Sequence, residues 1–311
     1  MSSIASAAVV EVRPPIAAAV ALAADLLLGE PPSHLHPTVW MGRWIAGARL
    51  RRTTEKPIPS LLEGAAWMLG GAAATVAAAY AVHRLTRALP EGGREVARGL
   101  ALKPALSLRA LLSAGGQVQR GLEADDLAEA RRLLAWHLVS RDTSALSAGE
   151  VAGAAIESLA ENLGDGVVAP LLAFRAGGLP AAYLHRFTNT SDAMLGYRTP
   201  ELEWFGKPAA RVDDALNWIP ARISALLIAL CAPLGGGDPM ESLRVASTDA
   251  ARTASPNAGW PIAAMAGALG VRLDKRGAYV LNDGGRMPTA DDLGRARRIV
   301  AGAGVLAAAL G

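Results

Sequence analysis

The stretch GAAWMLGGAAATVAAAYAV, residues 64–82, carries no charged side chain. A membrane-spanning helix needs about 20 apolar residues, because each residue adds about 1.5 Å to its length. The stretch therefore predicts a transmembrane helix. Trp67 and Tyr80 lie near its two ends, where aromatic side chains often anchor a helix at the interface. The alternative is a buried core helix of a soluble protein.

Three other apolar segments are weaker candidates for membrane spans, because each contains a charged residue. They are residues 14–28 with Asp25, residues 167–184 with Arg175, and residues 215–234 with Arg222. A charge at membrane depth is costly and favours a functional position facing a polar interior, unless it lies near a helix end. Residues 1–12 lack the basic region of a signal peptide, so we expect the first apolar segment to be retained.

The composition favours helices. Of the 311 residues, 51% are hydrophobic, 19% are charged and only 5% are aromatic. Abundant small apolar residues suit closely packed helices better than a β-sandwich core. We therefore expect an all-α, polytopic integral membrane protein with amphipathic helices and polar loops outside the bilayer. Residues 1–311 are expected to form a single membrane-embedded domain, in which residues 83–140 form an extramembrane helical insertion.

Several classes of protein are not indicated. Arginines are scattered among acids, so the net charge of +3 does not indicate nucleic-acid binding. The single cysteine, Cys231, excludes an internal disulfide and a Cys-rich zinc site. Standard phosphate-loop and dinucleotide-binding motifs are absent. Residues 121–138 have apolar side chains at helical spacing and acids before bases, which predicts one amphipathic surface helix.

Acidic residues are spaced along one predicted helix. Ser147, followed three residues later by Glu150, predicts a capping box at its start. Glu157 and Glu161 are four residues apart and so share a face, and Asp165 lies just beyond them. Because like charges repel and Mg²⁺ prefers oxygen ligands, these three carboxylates are candidate metal ligands. The alternative is a solvated acidic face.

The glycines at positions 164 and 166 predict a turn with positive φ that ends this helix. Ahead of the helix, Arg141 and Asp142 offer a fork of donors and a carboxylate to a phosphate or a metal ion.

Three later stretches add polar groups: residues 188–192, 208–222 and 254–261. In the second, Asp213 and Asn217 share a helical face, whereas Arg211 and Asp214 are three residues apart and could simply pair. Arg222 lies within an apolar run, where a charged side chain is costly, so a purely structural role is harder to argue for it than for the other residues. The prolines and glycine of the third stretch are typical of backbone that approaches a ligand, although an ordinary turn is the alternative.

Several sequence runs, in one order, resemble the adenosylcobinamide-phosphate synthases, membrane proteins of cobalamin biosynthesis also called the CobD/CbiB family. The runs are DLLLGEPPSHLHPTVWMG (25–42), SRDTS (140–144), AAIESLAENLGDGVVAPL (154–171), NTSDAMLGY (189–197), ARVDDALNWIPAR (210–222) and SPNAGWP (255–261). The resemblance covers most of the chain and is weakest over residues 53–129.

The resemblance implies a reaction and its partners. The family joins (R)-1-amino-2-propanol, or its O-phosphate, to the propionate of adenosylcobyric acid, and this gives adenosylcobinamide or its phosphate. An amine and a carboxylate do not condense unaided, so we expect ATP to activate the carboxylate and Mg²⁺ to neutralise the phosphates. We also expect a multi-pass protein of the cell (inner) membrane, an active site on the cytoplasmic side, and association with other corrinoid-assembly enzymes.

The resemblance gives the motifs, and the chemistry of their residues suggests the roles. The expected catalytic residues are Glu157, Glu161, Asp192, Asp213 and Asp214, and the expected metal ligands are Glu157, Glu161 and Asp165. The expected substrate-binding residues are Asp25, His36, Arg141, Asp142, Asn162, Asn189, Thr190, Arg211, Asn217, Arg222, Ser255 and Asn257.

Two other functions compete with this prediction. In a corrinoid transporter or binding protein, Asp25 and Arg222 would line a membrane path, but the paired broken segments of an inverted repeat are not evident. A Mg²⁺-dependent membrane transferase would also use acidic motifs. Such enzymes carry paired aspartate motifs on two helices, and this arrangement is not reproduced around Asp213-Asp214 in this sequence.

Overall fold

Helices form most of residues 16–311, the part of the chain that the computed structural model describes. The expectation of an all-α membrane protein is confirmed, with one antiparallel hairpin added. The helices are α1 (Ile16–Leu28), α2 (Pro37–Leu50), α3 (Pro57–Thr86), α4 (Glu91–Leu102), α5 (Leu108–Glu123), α6 (Leu127–His137), α7 (Ala148–Leu163), α8 (Ala169–Leu195), α9 (Lys207–Leu216), α10 (Trp218–Cys231), α11 (Pro239–Asp249), α12 (Gly259–Leu269) and α13 (Ala290–Leu310). The hairpin pairs β1 (Leu273–Lys275) with β2 (Tyr279–Leu281).

Three helical segments of the described chain are long and apolar enough to cross a membrane: Pro57–Thr86, Ala148–Leu195 and Trp218–Gly235. The first is α3, whose 30 residues extend the predicted span at both ends. Only 11% of its most apolar 18-residue window is buried, so neighbouring helices leave this surface uncovered, as expected of a helix that faces lipid. By contrast, α1 has 13 residues and is too short to span alone. The prediction about residues 1–12 lies outside the described residues.

α7 continues through a π-helical turn, Gly164–Val168, directly into α8. The predicted helix-ending turn with positive φ is therefore wrong, because φ of Gly164 is −60°. The two glycines serve close packing instead. A Cβ added to Gly166 would collide with the Ser107 hydroxyl, and the backbone N–H of Ser107 donates to the Gly166 carbonyl at 3.1 Å.

The helical geometry of α8 breaks at Gly177 and Gly178, and φ of Gly178 is 68°. Glycine adopts this left-handed region without a Cβ clash. The break separates an apolar first part of α8 from a second part, residues 179–195, that carries polar side chains. The predicted span over residues 167–184 therefore crosses the break.

The segment of residues 83–140 contains α4, α5 and α6. The single helix predicted over residues 121–138 is wrong, because α5 ends at Glu123 and α6 begins at Leu127. Asp125 between them has a positive φ of 56°, and the Asp126 side chain caps α6. The position of this segment outside the bilayer stays a prediction.

The most buried helices are α7 and α12. Every α7 residue from Val151 to Ala160 is buried, as is every residue of α12 except Trp260. α7 packs against α5, α12 and α13. Small residues also bring α3 onto α8, since a Cβ on Gly71 would collide with the Phe187 ring. The carboxylates of α7 are thus carried by one of the least accessible helices of the described chain.

Candidate active site

A cavity of about 480 Å³ lies where α7, α8, α9 and the turn before α12 meet. Its lining combines acidic and basic side chains with three neutral polar residues predicted from the sequence. The acids are Glu161, Asp165, Asp192, Glu203, Asp213 and Asp214, the bases are Arg198, Lys207 and Arg211, and the neutral residues are Asn217, Ser255 and Asn257. Acidic and basic side chains therefore line the same cavity.

The inner wall of the cavity is acidic. Glu161 is in the last turn of α7, and the π-helical turn places Asp165 beside the same cavity. π-Helical turns are rare in proteins, and those that occur are often at functional sites. From α8, the Asn189 side-chain amide donates to Asp165 Oδ2 at 3.1 Å. Asp165 and Glu161 are also near enough to Asp213 and Asp192, respectively, to repel them.

Asp213 is the acid whose surroundings are best defined. Its side chain is 8% exposed, and Oδ2 accepts a hydrogen bond from Asn217 Nδ2 at 2.9 Å. Oδ1 is buried and has no hydrogen-bond partner among the described residues. Burial, followed by the charge of Asp192, raises the pKa of Asp213 to about 7, against the smaller opposing effect of Asn217 and Asn189. Asp213 can therefore take up and release a proton near neutral pH.

The basic residues lie at the exposed side of the cavity. The Arg211 side chain is 70% exposed, and its Nη1 is 3.7 Å from Asp214 Oδ2, so the pairing expected from their spacing is present. Lys207 Nζ is 3.5 Å from Glu203 and 4.1 Å from the centre of the Trp204 ring. The cavity thus has a buried acidic interior and a basic mouth.

Glu157 does not line this cavity, although it is one turn from Glu161. Its Oε2 accepts a hydrogen bond from Tyr279 Oη at 3.3 Å and is 4.0 Å from Arg141 Nη2. Lys275 is close enough to stabilise the charges of both Glu157 and Glu161. The structure therefore brings Arg141 and Glu157 together, and the hairpin supplies two further polar groups.

Lys275 and Tyr279 were not predicted from the sequence. A signal was present, because Gly277 lies between two short runs that can form a hairpin, and in the structure its φ is 73°. β1 packs against α7, and the pairing of Lys275 with Tyr279 brings Tyr279 on β2 to the same place, where its hydroxyl reaches Glu157.

Arg186 was also missed. This α8 residue is close enough to interact electrostatically with Asp165, Glu30 and Asp25, and its Nε has no hydrogen-bond partner in the described chain. It follows an apolar run, where an ionisable residue is by default a functional candidate. Arg186 is the cation that lies between the acidic cavity and the N-terminal polar group that includes Asp25.

Asp25 and His36 do not line the cavity. Asp25 is fully buried, and its Oδ2 accepts from the backbone N–H of Arg109 at 2.9 Å, which caps α5. His36 Nδ1 accepts from the backbone N–H of Thr38 and caps α2, while Nε2 is 2.9 Å from Glu30. Both residues have structural contacts that explain their positions, and their roles with substrate stay predictions.

Three other residues that were predicted to bind substrate form hydrogen bonds with residues close to them in sequence. None of the three lines the cavity. Asp142 accepts from the backbone N–H and the hydroxyl of Ser144. The Asn162 amide donates to Ser158 one turn earlier, and the Thr190 hydroxyl donates to the carbonyl of Arg186. These contacts do not bring the three residues into the cavity.

The turn before α12 does face the cavity. The Ser255 hydroxyl accepts from the backbone N–H groups of Asn257 and Ala258, and Asn257 Nδ2 donates to the Asp214 carbonyl at 2.7 Å. The turn is thus fastened to α9. Arg222 reaches Asn257 Oδ1 at 3.4 Å, but its guanidinium lies against two rings instead of in the cavity, 4.0 Å from the centre of Trp218 and 4.9 Å from that of Trp260.

The donor set of the cavity fits Mg²⁺ in one of its usual modes. In residues 16–311, no three His, Cys, Asp or Glu side chains converge closely enough to hold a metal ion by themselves. Mg²⁺, however, usually keeps several waters and needs only one or two carboxylates plus substrate phosphates. Glu161 and Asp165 provide such oxygens. Glu157, the third predicted ligand, is held by Tyr279 outside the cavity.

Comparison with known proteins identifies the family. The family described as CobD/Cbib protein matches residues 18–303. The chain belongs to the CobD/CbiB family. It is 40% identical over 264 residues to a probable cobalamin biosynthesis protein CobD of Methanothermobacter thermautotrophicus, which covers 85% of each chain. It is 35% identical over 301 residues to the cobalamin biosynthesis protein CobD of Klebsiella pneumoniae, which covers 94% of each.

A third CobD/CbiB relative, the cobalamin biosynthesis protein CobD of Mycobacterium tuberculosis, is 39% identical over 305 residues and 92% of each chain. No solved structure matches this chain. Membership of the CobD/CbiB family makes cobalamin biosynthesis the process in which the protein takes part.

Proposed function

We propose that this CobD/CbiB protein forms the amide bond between (R)-1-amino-2-propanol, or its O-phosphate, and the propionate of adenosylcobyric acid. The product is adenosylcobinamide or its phosphate. The observation that carries the proposal is the cavity with an acidic interior and a basic mouth, in which Asp213 Oδ1 is buried and unpaired. An amino alcohol phosphate has the complementary charges, an ammonium group and a phosphate.

The acidic interior binds and deprotonates the amine. An ammonium group is attracted to the carboxylates of Asp192, Asp213 and Asp214, which line the cavity. Only the neutral amine has the lone pair needed to attack a carbonyl carbon, so the proton must move to a base. A general base works best with a pKa near the operating pH, and Asp213 has a pKa of about 7.

The basic mouth binds anionic groups. Arg211 offers a planar fork of donors that matches phosphate oxygens, and Lys207 and Arg198 add positive charge on the same surface. Arg141, in the connection from α6 to α7, lies beside Glu157 and is the second arginine that we assign to phosphate binding. Ser255 and Asn257 orient the substrate from the turn before α12.

ATP would supply the free energy of amide formation by activating the carboxylate, and Mg²⁺, held by Glu161 and Asp165, would neutralise phosphate charge. The role of the protein is to hold the amine and the carboxylate of the corrinoid in contact, which makes their reaction effectively unimolecular. Donors at the mouth stabilise negative charge that develops during the reaction.

The proposal includes a location. The protein spans the cell (inner) membrane several times as one domain, and its cavity opens to the cytoplasm, where ATP is available. Residues 83–140 lie outside the bilayer. Corrinoid-assembly enzymes that supply the substrate or take the product would associate with this side.

The proposal is tested by incubating purified protein with adenosylcobyric acid, aminopropanol or aminopropanol phosphate, ATP and Mg²⁺, and following the corrinoid mass. We expect an amidated product that requires ATP and disappears on chelation of Mg²⁺. No product with any nucleoside triphosphate would contradict the proposal. Counterflow of corrinoid in liposomes, without product, would instead indicate transport.

A further inference from the structure

Three buried polar side chains form a line that ends at the cavity. His185 of α8 places Nε2 2.9 Å from Asn217 Oδ1, and Asn217 Nδ2 is 2.9 Å from Asp213 Oδ2. The three side chains are 3%, 3% and 8% exposed, respectively. The line therefore runs from the interior of the protein to an acid that lines the cavity.

The direction of these hydrogen bonds follows from their chemistry. A carboxylate accepts hydrogen bonds, so the NH₂ group of Asn217 must face Asp213. The amide oxygen of Asn217 then faces His185, and because this oxygen only accepts, Nε2 of the imidazole must carry a proton. His185 thus fixes the orientation of the Asn217 amide, and Asn217 fixes the plane of the Asp213 carboxylate.

The line leaves one carboxylate oxygen unused. Asp213 Oδ1 is buried and no described group meets hydrogen-bond geometry with it; the Asn189 amide, which donates to Asp165, is near enough to lower the pKa of Asp213 but does not bond to Oδ1. A purely structural network would satisfy both oxygens, because an unpaired buried acceptor lowers stability. The unpaired oxygen belongs to a residue of the cavity lining, so its expected partner is a ligand.

We infer that His185 and Asn217 are positioning residues that hold Asp213 so that its Oδ1 meets the amine substrate. This inference rests on the proposed function and adds two residues to it. Asn217 was expected to contact the substrate, but both ends of its amide are engaged inside the protein. His185 was not singled out in the sequence.

The chemical step balances as follows. A proton leaves the substrate ammonium nitrogen and bonds to Asp213 Oδ1, and the N–H electron pair stays on nitrogen as a lone pair. That pair forms the new C–N bond with the carboxyl carbon activated by the nucleoside triphosphate. The bond from this carbon to its phosphate-bearing oxygen breaks, and the phosphate or nucleotide leaves with the electrons and takes up the second proton that the nitrogen releases as it becomes an amide. Asp213 returns its proton to solvent.

The first test separates kcat from KM in four variants. In Asn217→Ala and His185→Leu, we expect kcat to fall by about 10- to 100-fold, with KM for the amine changed less than about threefold, because a misplaced base slows the reaction more than binding. His185→Gln keeps an N–H donor and should recover most of kcat. His137→Leu, an exposed histidine at the end of α6, is the matched control.

Three outcomes of this test would overturn the inference. A rise in KM for the amine without a fall in kcat would mean that Asn217 contacts the substrate directly. Equal losses in His185→Leu and His185→Gln, accompanied by equal losses of thermal stability in detergent, would mean that the line is only structural. An unchanged kcat in Asn217→Ala would also contradict it.

A second test does not require turnover. Dicyclohexylcarbodiimide adds to protonated carboxyl groups, and mass spectrometry locates the modified residue. Asn217→Ala and His185→Leu remove support from the carboxylate, so Asp213 should be modified faster than in the wild type. Gln117→Ala, which removes an amide bonded within α5, should leave the rate unchanged. Unaltered Asp213 labelling in both variants would overturn the positioning role, whereas altered labelling in a protein that makes no amide would reject only the proposed function.

Discussion

The Tyr279 hydroxyl donates a hydrogen bond to the Glu157 carboxylate, with Oη 3.3 Å from Oε2. The hairpin that carries Tyr279 packs on α7, so residues far apart in sequence meet at the acidic helix. Burial, followed by the charges of Glu157 and Glu161, raises the pKa of Tyr279, so its hydroxyl stays protonated at neutral pH and remains a donor.

Tyr279→Phe should lower kcat/KM by about three- to tenfold, because this hydrogen bond is long, at 3.3 Å, and a typical hydrogen bond contributes about 1 kcal/mol net. The ring is kept, so thermal stability in detergent should change little. Product formation measured over a range of amine concentrations checks the effect. Tyr80→Phe, on the exposed surface of α3, is the control and should match the wild type. Equal losses in both variants would contradict the role of the hydroxyl.

Glu161→Gln should abolish turnover and leave the protein folded, because the amide has nearly the shape of the carboxylate but carries no charge for Mg²⁺ or the ammonium group. Glu157→Gln should do the same. Glu150 offers a contrast on the same helix, since it forms the capping box with Ser147 and an ion pair with Arg276. Glu150→Gln should lower the unfolding temperature with little loss of kcat. Wild-type turnover in Glu161→Gln would contradict this role of Glu161 and would mean that other residues bind Mg²⁺ or the ammonium group.

The rate of amide formation should depend on pH through Asp213. Because burial and the charge of Asp192 raise its pKa to about 7, the basic form that accepts a proton is lost below that pH. We expect kcat/KM to fall about tenfold per unit of pH below about 7 and to level off above it. Asp213→Asn should remove activity at every pH. A wild-type profile that stays flat through neutrality would contradict this assignment.

The raised pKa of Asp213 should also make the stability of the protein depend on pH. Between the ordinary pKa of 3.8 and about 7, folded Asp213 keeps a proton that the unfolded chain has released, so stability falls as pH rises through this interval. Asp213→Asn cannot release a proton. The free energy of unfolding of the variant relative to the wild type should therefore be greater at about pH 8 than at about pH 4, by a few kcal/mol at most. Chemical unfolding in detergent at the two pH values measures the difference, and equal values would contradict it.

The orientation of the cavity can be measured with an introduced thiol. The only cysteine, Cys231, is 3% exposed and should react slowly. Glu201, in the connection from α8 to α9 near the cavity mouth, has a side chain that is 57% exposed. Glu201→Cys should react with a membrane-impermeant maleimide in inside-out vesicles and not in intact cells. The reverse pattern would place the cavity on the outer side.

Much of the fold was predictable because hydropathy and helix capping act locally. The uncharged run of residues 64–82 identified α3, and the Ser147–Glu150 capping box set the start of α7. The helix-ending turn at Gly164 was wrong because glycine permits either a positive φ or close packing, and the contact of Gly166 with Ser107 is set by a distant segment. A tertiary contact of this kind leaves no periodic signal.

The sequence indicated which acidic residues were candidates for the site, but it only partly indicated which of them lie together. Glu161, Asp165, Asp192, Asp213 and Asp214 share the cavity, as the motifs that carry them suggested. Asp25 and His36 instead cap helices, and such capping bonds can join segments far apart in sequence, as Asp25 does with α5. Lys275 and Arg186 were missed, because a single basic residue becomes meaningful only when its neighbours in space are known.

The contacts between the hairpin and α7 have a consequence for biogenesis. α7 leaves the ribosome more than a hundred residues before Lys275, Arg276 and Tyr279, which later neutralise or hydrogen-bond its acids. Until those residues are synthesised, a bilayer would receive a helix with three glutamates and few partners, an unfavourable arrangement. We therefore expect the site to form only after the C-terminal part of the chain has been synthesised.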